Sequence, residues 1–493
     1  MKTRFSIPPL FYHYLVLLLL IYCVVFLRIG SFHIRHWDES MFAVNTYEML
    51  HNGSYFSLYF NGLPDLCNTK PPLTVWLQAA SVSIFGFNEM AVRLPSALAT
   101  ALSILIIFAF LRRQSGISMA WIAALILLTS NGFIDFHTAR TGDADALLTL
   151  FLLCGNLAFY LYCKTEHKKY ILLFFIALTL AFDTKLFAAA LFLPGMLFYL
   201  LMQKKLRSFV FSFQFLAGIL ILSACTILLV WLREAESPGY LAEILRKDAG
   251  RLARVVEEHS GPASFYSDNL IHGRFSLWFV FLTAGIILTF FRRRYDRQHY
   301  PLLLLCVSLL FSYLIILMLS VTKLEWYDMP LYPLMAILAA YPVLFVLQRV
   351  VHGTKSRAVV LRYLLILLLF ILPLIEMIEK AQANHLPYGQ RLAEASERFL
   401  FNKARTGADI HGTKVLYSGW NGSLLFYQYR FREMKQEIEL ITRAETLTTG
   451  DRVLLSNDSL KSWVGQLYST EIIEKDENAE WIRITGIKST QVE

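Results

Sequence analysis

The sequence predicts an all-α polytopic membrane protein of about eleven transmembrane helices, with a small α/β domain after them. Three observations predict it. The 493-residue chain is 56% hydrophobic and 17% charged, with a mean hydropathy of +0.49, too apolar for an ordinary soluble protein of this length. Apolar runs of near-span length recur up to about residue 376, and roughly 20 apolar residues cross a bilayer core as a helix. The basic residues gather at alternating junctions between those runs: Lys2 and Arg4; Arg112 and Arg113; Lys164, Lys168 and Lys169; Lys204, Lys205 and Arg207; Arg292 to Arg294 and Arg297; Lys355, Arg357 and Arg362. That alternation is the positive-inside pattern and marks cytoplasmic loops. It accounts for the net charge of +9 and argues against nucleic acid as a partner.

In order, the expected spans lie near 10–29, 95–111, 117–134, 146–163, 170–182, 185–202, 209–231, 275–291, 301–320, 330–348 and 358–376. The first follows Lys2 and Arg4 as a signal peptide would. Leu27-Arg28-Ile29-Gly30 offers no small-x-small cleavage site, so it is read as a retained span with a cytoplasmic N-terminus. The stretch 170–202 carries only Asp183 and Lys185 as charges. One helix there would be about 50 Å long at 1.5 Å per residue and would invert every later loop. Two short helices joined at Asp183-Thr184-Lys185 fit better. An odd span count then places 377–493 outside the cytoplasm. Of the six cysteines, only Cys67 lies in an outer loop, so no disulfide framework is expected.

The expected domains are therefore a membrane domain, 1–376, and an extracytoplasmic α/β domain, 377–493. In the latter, 414–417 and 451–455 read as strands, 388–403 and 422–430 as helices, and 469–487 as a hairpin. It carries no motif assignable to chemistry and is read as a lid or acceptor-docking module.

With sides assigned, the unusual polar residues fall together on the outer side: Asp38, Glu39, Lys70, Arg93, Arg140, Asp143, Asp145, Asp183, Lys185, His259, Lys323, Glu325 and Tyr327. Charges beside a membrane are costly unless paired or lining a wet cavity, so they mark candidate sites. Asp38-Glu39 follows Trp37 just past the first span. A carboxylate near apolar surface is a candidate general base; the bland alternative is a helix cap. Lys70 precedes Pro71-Pro72, which fix the backbone and present a cation suited to a phosphate, or else a snorkelling side chain. Arg140 and Asp143 open the fourth span, where Asp143 and Asp145 also suit a helix N-terminus. Lys323 and Tyr327, four apart, offer an ammonium and a hydroxyl to one phosphate; an aromatic-belt turn is the alternative. An amphipathic helix on the outer leaflet is expected around 240–256. His259 is a candidate metal ligand, but no ligand set has convincing spacing.

This ordered set resembles the GT-C class of membrane glycosyltransferases, in the branch of protein O-mannosyltransferases and lipid A aminoarabinose transferases. The residues that carry the resemblance are Asp38-Glu39, Lys70-Pro71-Pro72-Leu73 with Trp76, Arg93-Leu94-Pro95-Ser96, Arg140 with Asp143, Thr184-Lys185, His259 to Pro262, and Lys323 with Tyr327. They span roughly residues 10–345. The resemblance implies a polyprenyl-phosphate sugar donor and an inverting transfer on the outer face of a membrane, most simply the bacterial inner (plasma) membrane. It makes Asp38 the catalytic base, with Glu39 beside it as organiser, and gives Lys70, Arg93 and Lys323 to the donor phosphate, with Arg140, Asp143, Lys185 and Tyr327 in the same substrate-binding set. The aminoarabinose branch often carries an acidic residue before Lys-Pro-Pro. Thr69 stands there, which weakens a divalent-metal pairing with His259 and a lipid A acceptor. The expected partners are the donor, membrane lipids and a glycolipid, protein or cell-envelope glycan acceptor. The rival class is a flippase of lipid-linked sugars, against which stand one-sided charges and unmatched halves.

Overall fold

In the computed structural model, residues 9–135, 137–252, 254–255, 259–291, 296–351, 356–383 and 392–488 are described. The chain is an integral membrane protein, predominantly helical. Among the described residues six helices are long and apolar enough to cross a bilayer: Glu89–Ser115, Asp145–Thr165, Lys169–Ala190, Phe213–Glu236, Tyr300–Leu319 and Glu325–Gln348. A seventh span arises if Phe265–Arg274 and Ser276–Phe291, bent by 120°, count as one. The expected eleven are not confirmed. Leu10–Phe26, Ile117–Leu128 and Leu193–Met202 are apolar but short, and the region expected at 358–376 is interrupted by a π-helical turn, Leu367–Ile371. The expected break at Asp183–Lys185 falls one step later. Those residues end the helix Lys169–Lys185, and the 3-10 turn Leu186–Ala190 follows.

Two compact units emerge, neither continuous in sequence. The first comprises Met1–Leu27, Leu66–Thr74 and Pro95–Gln382; the second comprises Arg28–Asp65, Val75–Leu94 and Ala383–Glu493. This differs from the expected division at residue 376, because much of the first outer loop belongs with the tail.

The first unit is a bundle whose helices approach closely at small residues. A Cβ on Gly285 would sit 2.1 Å from the Leu338 carbonyl oxygen, and one on Gly195 2.5 Å from that of Ser308. Small residues at such crossings let helix backbones meet where lipid supplies no hydrophobic drive. The expected amphipathic helix at 240–256 is instead a short helix, Tyr240–Glu243, running into a π turn, Ile244–Ala249. Tyr240 and Ile244 are buried with Leu186, so their apolar face packs on protein rather than on a leaflet.

The second unit is built on a five-stranded sheet. A two-residue hairpin, β1 (Tyr59–Phe60) and β2 (Leu63–Pro64), stands apart. The sheet strands are β3 (Thr413–Leu416), β4 (Ile438–Ile441), β5 (Arg452–Leu455), β6 (Tyr468–Lys475) and β7 (Glu480–Ile487), in the order β4-β3-β5-β7-β6. β3 pairs parallel to both β4 and β5. β6 and β7 form the antiparallel hairpin expected at 469–487. Helices Ala395–Thr406 and Gly422–Glu433 pack with Phe399, Leu400, Phe426 and Phe431 inward, and the same core takes in Ile34, Ala43, Val82, Ala91 and Val92. Burying those outer-loop residues is what moves the domain boundary.

Candidate functional site

The candidate residues divide between the units. Asp38, Glu39 and Arg93 belong to the second; Lys70, Arg140, Asp143, Lys185, His259, Lys323 and Tyr327 belong to the first.

In the second unit the helix Asp38–Asn52 starts at an N-cap, Trp37, that makes no side-chain cap bond. Asp38 is thus the first helical residue rather than the cap, and half-buried. Glu39 is fully buried. Its Oε1 accepts from Arg93 Nε at 2.7 Å; its Oε2 accepts from Arg93 Nη2 at 3.0 Å and from the Arg35 amide at 2.8 Å. Arg93 also donates to the carbonyls of Ile29, Phe32 and His33 at 2.7–3.0 Å. A guanidinium has five N–H donors, and these five bonds use them all. Arg93, expected at the donor phosphate, instead fastens the turn that precedes Asp38, with Glu39 as its counter-ion.

The same turn is held from the tail by residues that no motif announced. His33 Nε2 lies 2.6 Å from Glu394 Oε2, and Arg35 Nη1 3.2 Å from the same oxygen. The Ile34 amide donates to Tyr427 Oη at 3.1 Å, and Tyr427 donates to Glu89 at 2.8 Å. Ser423 Oγ meets His36 Nδ1 at 2.9 Å.

In the first unit three expected residues come together. Lys70, Lys185 and Tyr327 line a cavity of about 230 Å³, with Asp145, Asp248 and Arg251. Lys185 Nζ pairs with Asp145 Oδ1 at 2.7 Å and sits 4.4 Å from the centre of the Tyr327 ring. Arg251 donates to the Tyr327 hydroxyl. The remaining wall is apolar: Leu148, Leu186, Phe187, Leu191, Ile316 and Leu317 among others. Three cations, two carboxylates and a phenol thus share the lining with hydrocarbon side chains.

Lys70 is placed by its backbone. Arg233 Nη1 donates to the Lys70 carbonyl at 2.7 Å, Tyr240 Oη to that of Thr69 at 2.8 Å, and Lys247 Nζ to that of Cys67 at 3.2 Å. With Pro71 and Pro72 removing backbone donors, these side chains supply the bonds that fix the turn. Arg233 and Arg251 escaped the sequence reading. The clue for Arg233 was a charge at the end of an apolar run; Arg251, in a long polar loop, left none.

Other expectations are corrected. Lys323 Nζ donates to the carbonyls of Leu317, Met318 and Ser320 at 3.3, 2.9 and 2.6 Å. An ammonium has three donors, so Lys323 closes the C-terminal end of Tyr300–Leu319 rather than presenting itself to a phosphate. Arg140 spends Nη1 and Nη2 on the carbonyls of Val24, Val25, Leu27 and Ala381 at 2.9–3.1 Å. Asp143 accepts from the Thr141 hydroxyl and lies 3.4 Å from His137 Nδ1, outside the cavity lining. Its neighbour Asp145 takes the place in the cavity. His259 is exposed, and among the described residues no group of potential metal ligands includes it.

Comparison with known proteins now bears on this geometry. Residues 69–231 match the family described as dolichyl-phosphate-mannose-protein mannosyltransferase. The solved structure of ArnT from Cupriavidus metallidurans bound to undecaprenyl phosphate matches 96% of this chain and 98% of that one, with a TM-score of 0.69 at 16% identity. The fold is that of the GT-C membrane glycosyltransferases. An undecaprenyl phosphate-alpha-4-amino-4-deoxy-L-arabinose arabinosyl transferase of Pseudomonas fluorescens is 31% identical over 290 residues, 56% of this chain and 50% of that one. A putative mannosyltransferase, YkcB of Bacillus subtilis, is 30% identical over 220 residues, 42% and 29% respectively. The chain thus spans half or less of the length of these two relatives. The segment matched by the family contains Lys70, Asp145 and Lys185, and stops just short of Arg233.

Proposed function

We propose that the chain is a glycosyltransferase that moves a sugar from a polyprenyl-phosphate donor to a hydroxyl or phosphate acceptor, with inversion, on the extracytoplasmic face of a bacterial inner membrane. The carrying observation is the amphiphilic cavity, lined both by Lys70, Lys185 and Arg251 and by apolar side chains. A phosphate on an isoprenoid chain combines the same two chemistries.

The roles follow from the chemistry. The acceptor oxygen attacks the anomeric carbon as the bond from that carbon to the phosphate oxygen breaks, and the electron pair leaves on the phosphate. Fixed cations stabilise the charge growing there, which Lys70, Lys185 and Arg251 supply, with Tyr327 as a polarised hydroxyl. The acceptor proton passes to a carboxylate, Asp38, whose half-buried position leaves it reachable while Glu39 is sealed in its ion pair. A phosphate leaves without protonation, so a second acid is unnecessary. Glu39 and Arg93 act as positioning residues for the Asp38 turn.

The test is gradient-free turnover by purified protein with a radiolabelled polyprenyl-phosphate sugar and an envelope extract as acceptor source. Release of free polyprenyl phosphate with label appearing in acceptor is expected. Asp38→Asn should reduce it about 10²- to 10⁴-fold, since the amide cannot take the proton, while donor binding persists. No release by the parent would return the reading to a lipid-linked-sugar flippase.

A further inference from the structure

Within the second unit, residues that the donor chemistry does not use form a second kind of surface. Trp37 stacks on Trp420 with ring centroids 5.3 Å apart and planes 16° from parallel. Phe60, on β1, lies 5.0 Å from Trp420 at 30°. Despite this packing Trp37 remains 65% exposed, so its indole face turned from Trp420 is not covered by protein. A large aromatic side chain left uncovered by protein, next in the chain to a candidate base, requires an explanation.

The backbone adds one observation. Trp37 has φ +64° and ψ −120°, a region that bulky residues enter only under constraint. The constraint is visible. Ser40 Oγ donates to the Trp37 carbonyl at 2.9 Å, and Trp420 Nε1 donates to Ser40 Oγ at 3.3 Å. Gly422 permits the approach, since a Cβ there would lie 2.8 Å from both Ser40 Oγ and the Trp420 ring. A costly conformation is therefore held so that the indole faces outward.

The topology adds another. β3 is flanked by β4 on one side and β5 on the other, and the chain passes from β3 to β4 before reaching β5. The C-terminal ends of β3 and β5 thus bracket a topological switch point, where open α/β sheets place ligands. The loop leaving β3 is Tyr417-Ser418-Gly419-Trp420-Asn421. It brings Trp420 to the stack, together with Asn421 Nδ2 donating to Tyr417 Oη at 3.2 Å.

The geometry points to a saccharide-binding platform: the outer face of Trp37, backed by Trp420, takes a pyranose ring of the acceptor. The inference rests on the transferase reading and narrows its acceptor from any hydroxyl to that of a glycan or glycolipid sugar. The chemistry is specific. A β-gluco-configured pyranose presents axial C–H groups on one face, and these carry partial positive charge toward the negative face of an indole. Asp38, the residue proposed as base, follows Trp37 directly in the chain as the first residue of the helix. A peptide acceptor would call for amide partners rather than a flat aromatic face.

The experiment uses the full chain in nanodiscs, without donor, and saturation-transfer NMR with methyl β-D-glucopyranoside, chitobiose and a blocked Ser-containing tripeptide as probes. Transfer should be strongest to H1, H3 and H5 of the pyranose. Trp37→Gly relieves the positive φ, so it should melt no lower than the parent while weakening glycoside binding about tenfold or more. Trp37→Phe should recover most of the binding, and Trp231→Phe, at an exposed indole of the first unit, should match the parent. Glycoside signals that are absent, or equal in parent and Trp37→Gly, would overturn the platform, as would Trp37-dependent binding of the peptide alone. With no donor present, this readout fails independently of the donor-release assay.

Discussion

Two acid–base pairs, one in each unit, look alike in the sequence and differ in the structure. Glu39–Arg93 and Asp145–Lys185 are both made at 2.7 Å by residues on the expected outer side. In the first, both side chains are 1% exposed and every Arg93 donor is occupied. In the second, Lys185 keeps 13% of its side-chain surface exposed and both partners line a cavity. A charge near a membrane is therefore not by itself a ligand-binding charge. What separates a fastener from a site is whether donors remain directed at open space.

The largest expected effect breaks the sealed pair. Arg93→Met strands Glu39 in a dry interior, and removing one partner of a buried pair costs about 3–5 kcal/mol. Thermal unfolding should show the second unit lost or strongly lowered, with turnover falling along with folded protein. Glu39→Gln/Arg93→Met should recover part of the stability. If Arg93→Met melted like the parent but failed to bind donor, Arg93 would return to the phosphate.

Next comes the open pair. Lys185→Met removes a cation from the cavity, and a charge-assisted contact is worth about 1.5–3 kcal/mol, or roughly 10- to 150-fold in donor affinity. Asp145 is itself only 3% exposed, but it lines the cavity, whereas Glu39 is sealed on every side, so the melting loss should be smaller than for Arg93→Met. Asp145→Asn/Lys185→Met separates the two roles, with stability recovered and donor binding still weak. Recovery of donor binding in that double variant would make the pair a second fastener.

Lys323→Met sharpens the contrast from a third position. Three carbonyl contacts at a helix end are lost, with an expected cost of about 1–3 kcal/mol, read as a lower melting temperature. Donor affinity, measured by displacement of labelled polyprenyl phosphate, should stay near the parent value once corrected for folded fraction. A selective donor defect would restore the sequence expectation.

Why the sequence separated these cases poorly is a matter of what each depends on. The cavity proposed for the donor draws on residues visible in the sequence, because Lys70 and Lys185 interrupt apolar or Pro-fixed stretches and have few local alternatives. Lys323 was misjudged although a clue was present. It lies four residues beyond the end of Tyr300–Leu319, where a cation commonly meets the last carbonyls. Arg93 could not be judged locally, since its carbonyl partners lie more than 50 residues upstream. The helix Asp38–Asn52 buries Met41, Phe42, Ala43, Val44 and Tyr47 together, which requires cover on several sides. Part of that cover, Leu425 and Tyr429, is almost 400 residues away in a tail whose strands were largely legible and whose partner was not.

The smallest expected effect tests how the sealed region responds to acid. Burial holds the His33 imidazole below its ordinary value, Arg35 and Arg93 add to the shift, and the bond to Glu394 opposes it. Burial alone would raise Glu394, but the His33 hydrogen bond and nearby cations keep it lowered overall. A lowered folded-state value means that the folded protein binds fewer protons than the unfolded one. The stability from neutral His33 is thus present above its unfolded value of 6.5 and is lost as pH falls through that region; the Glu394 contribution is lost only further down, below 4.5. Stability should therefore rise with pH across this window. Thermal unfolding followed by tryptophan emission from about pH 7.5 to pH 5.5 should show a falling midpoint in the parent and a flatter curve in His33→Gln. The Lys185→Met protein, altered far from this histidine in sequence and in the other unit, should keep the parent slope. Parallel curves for parent and His33→Gln would show that the clamp on the Asp38 turn does not depend on the charge state of His33.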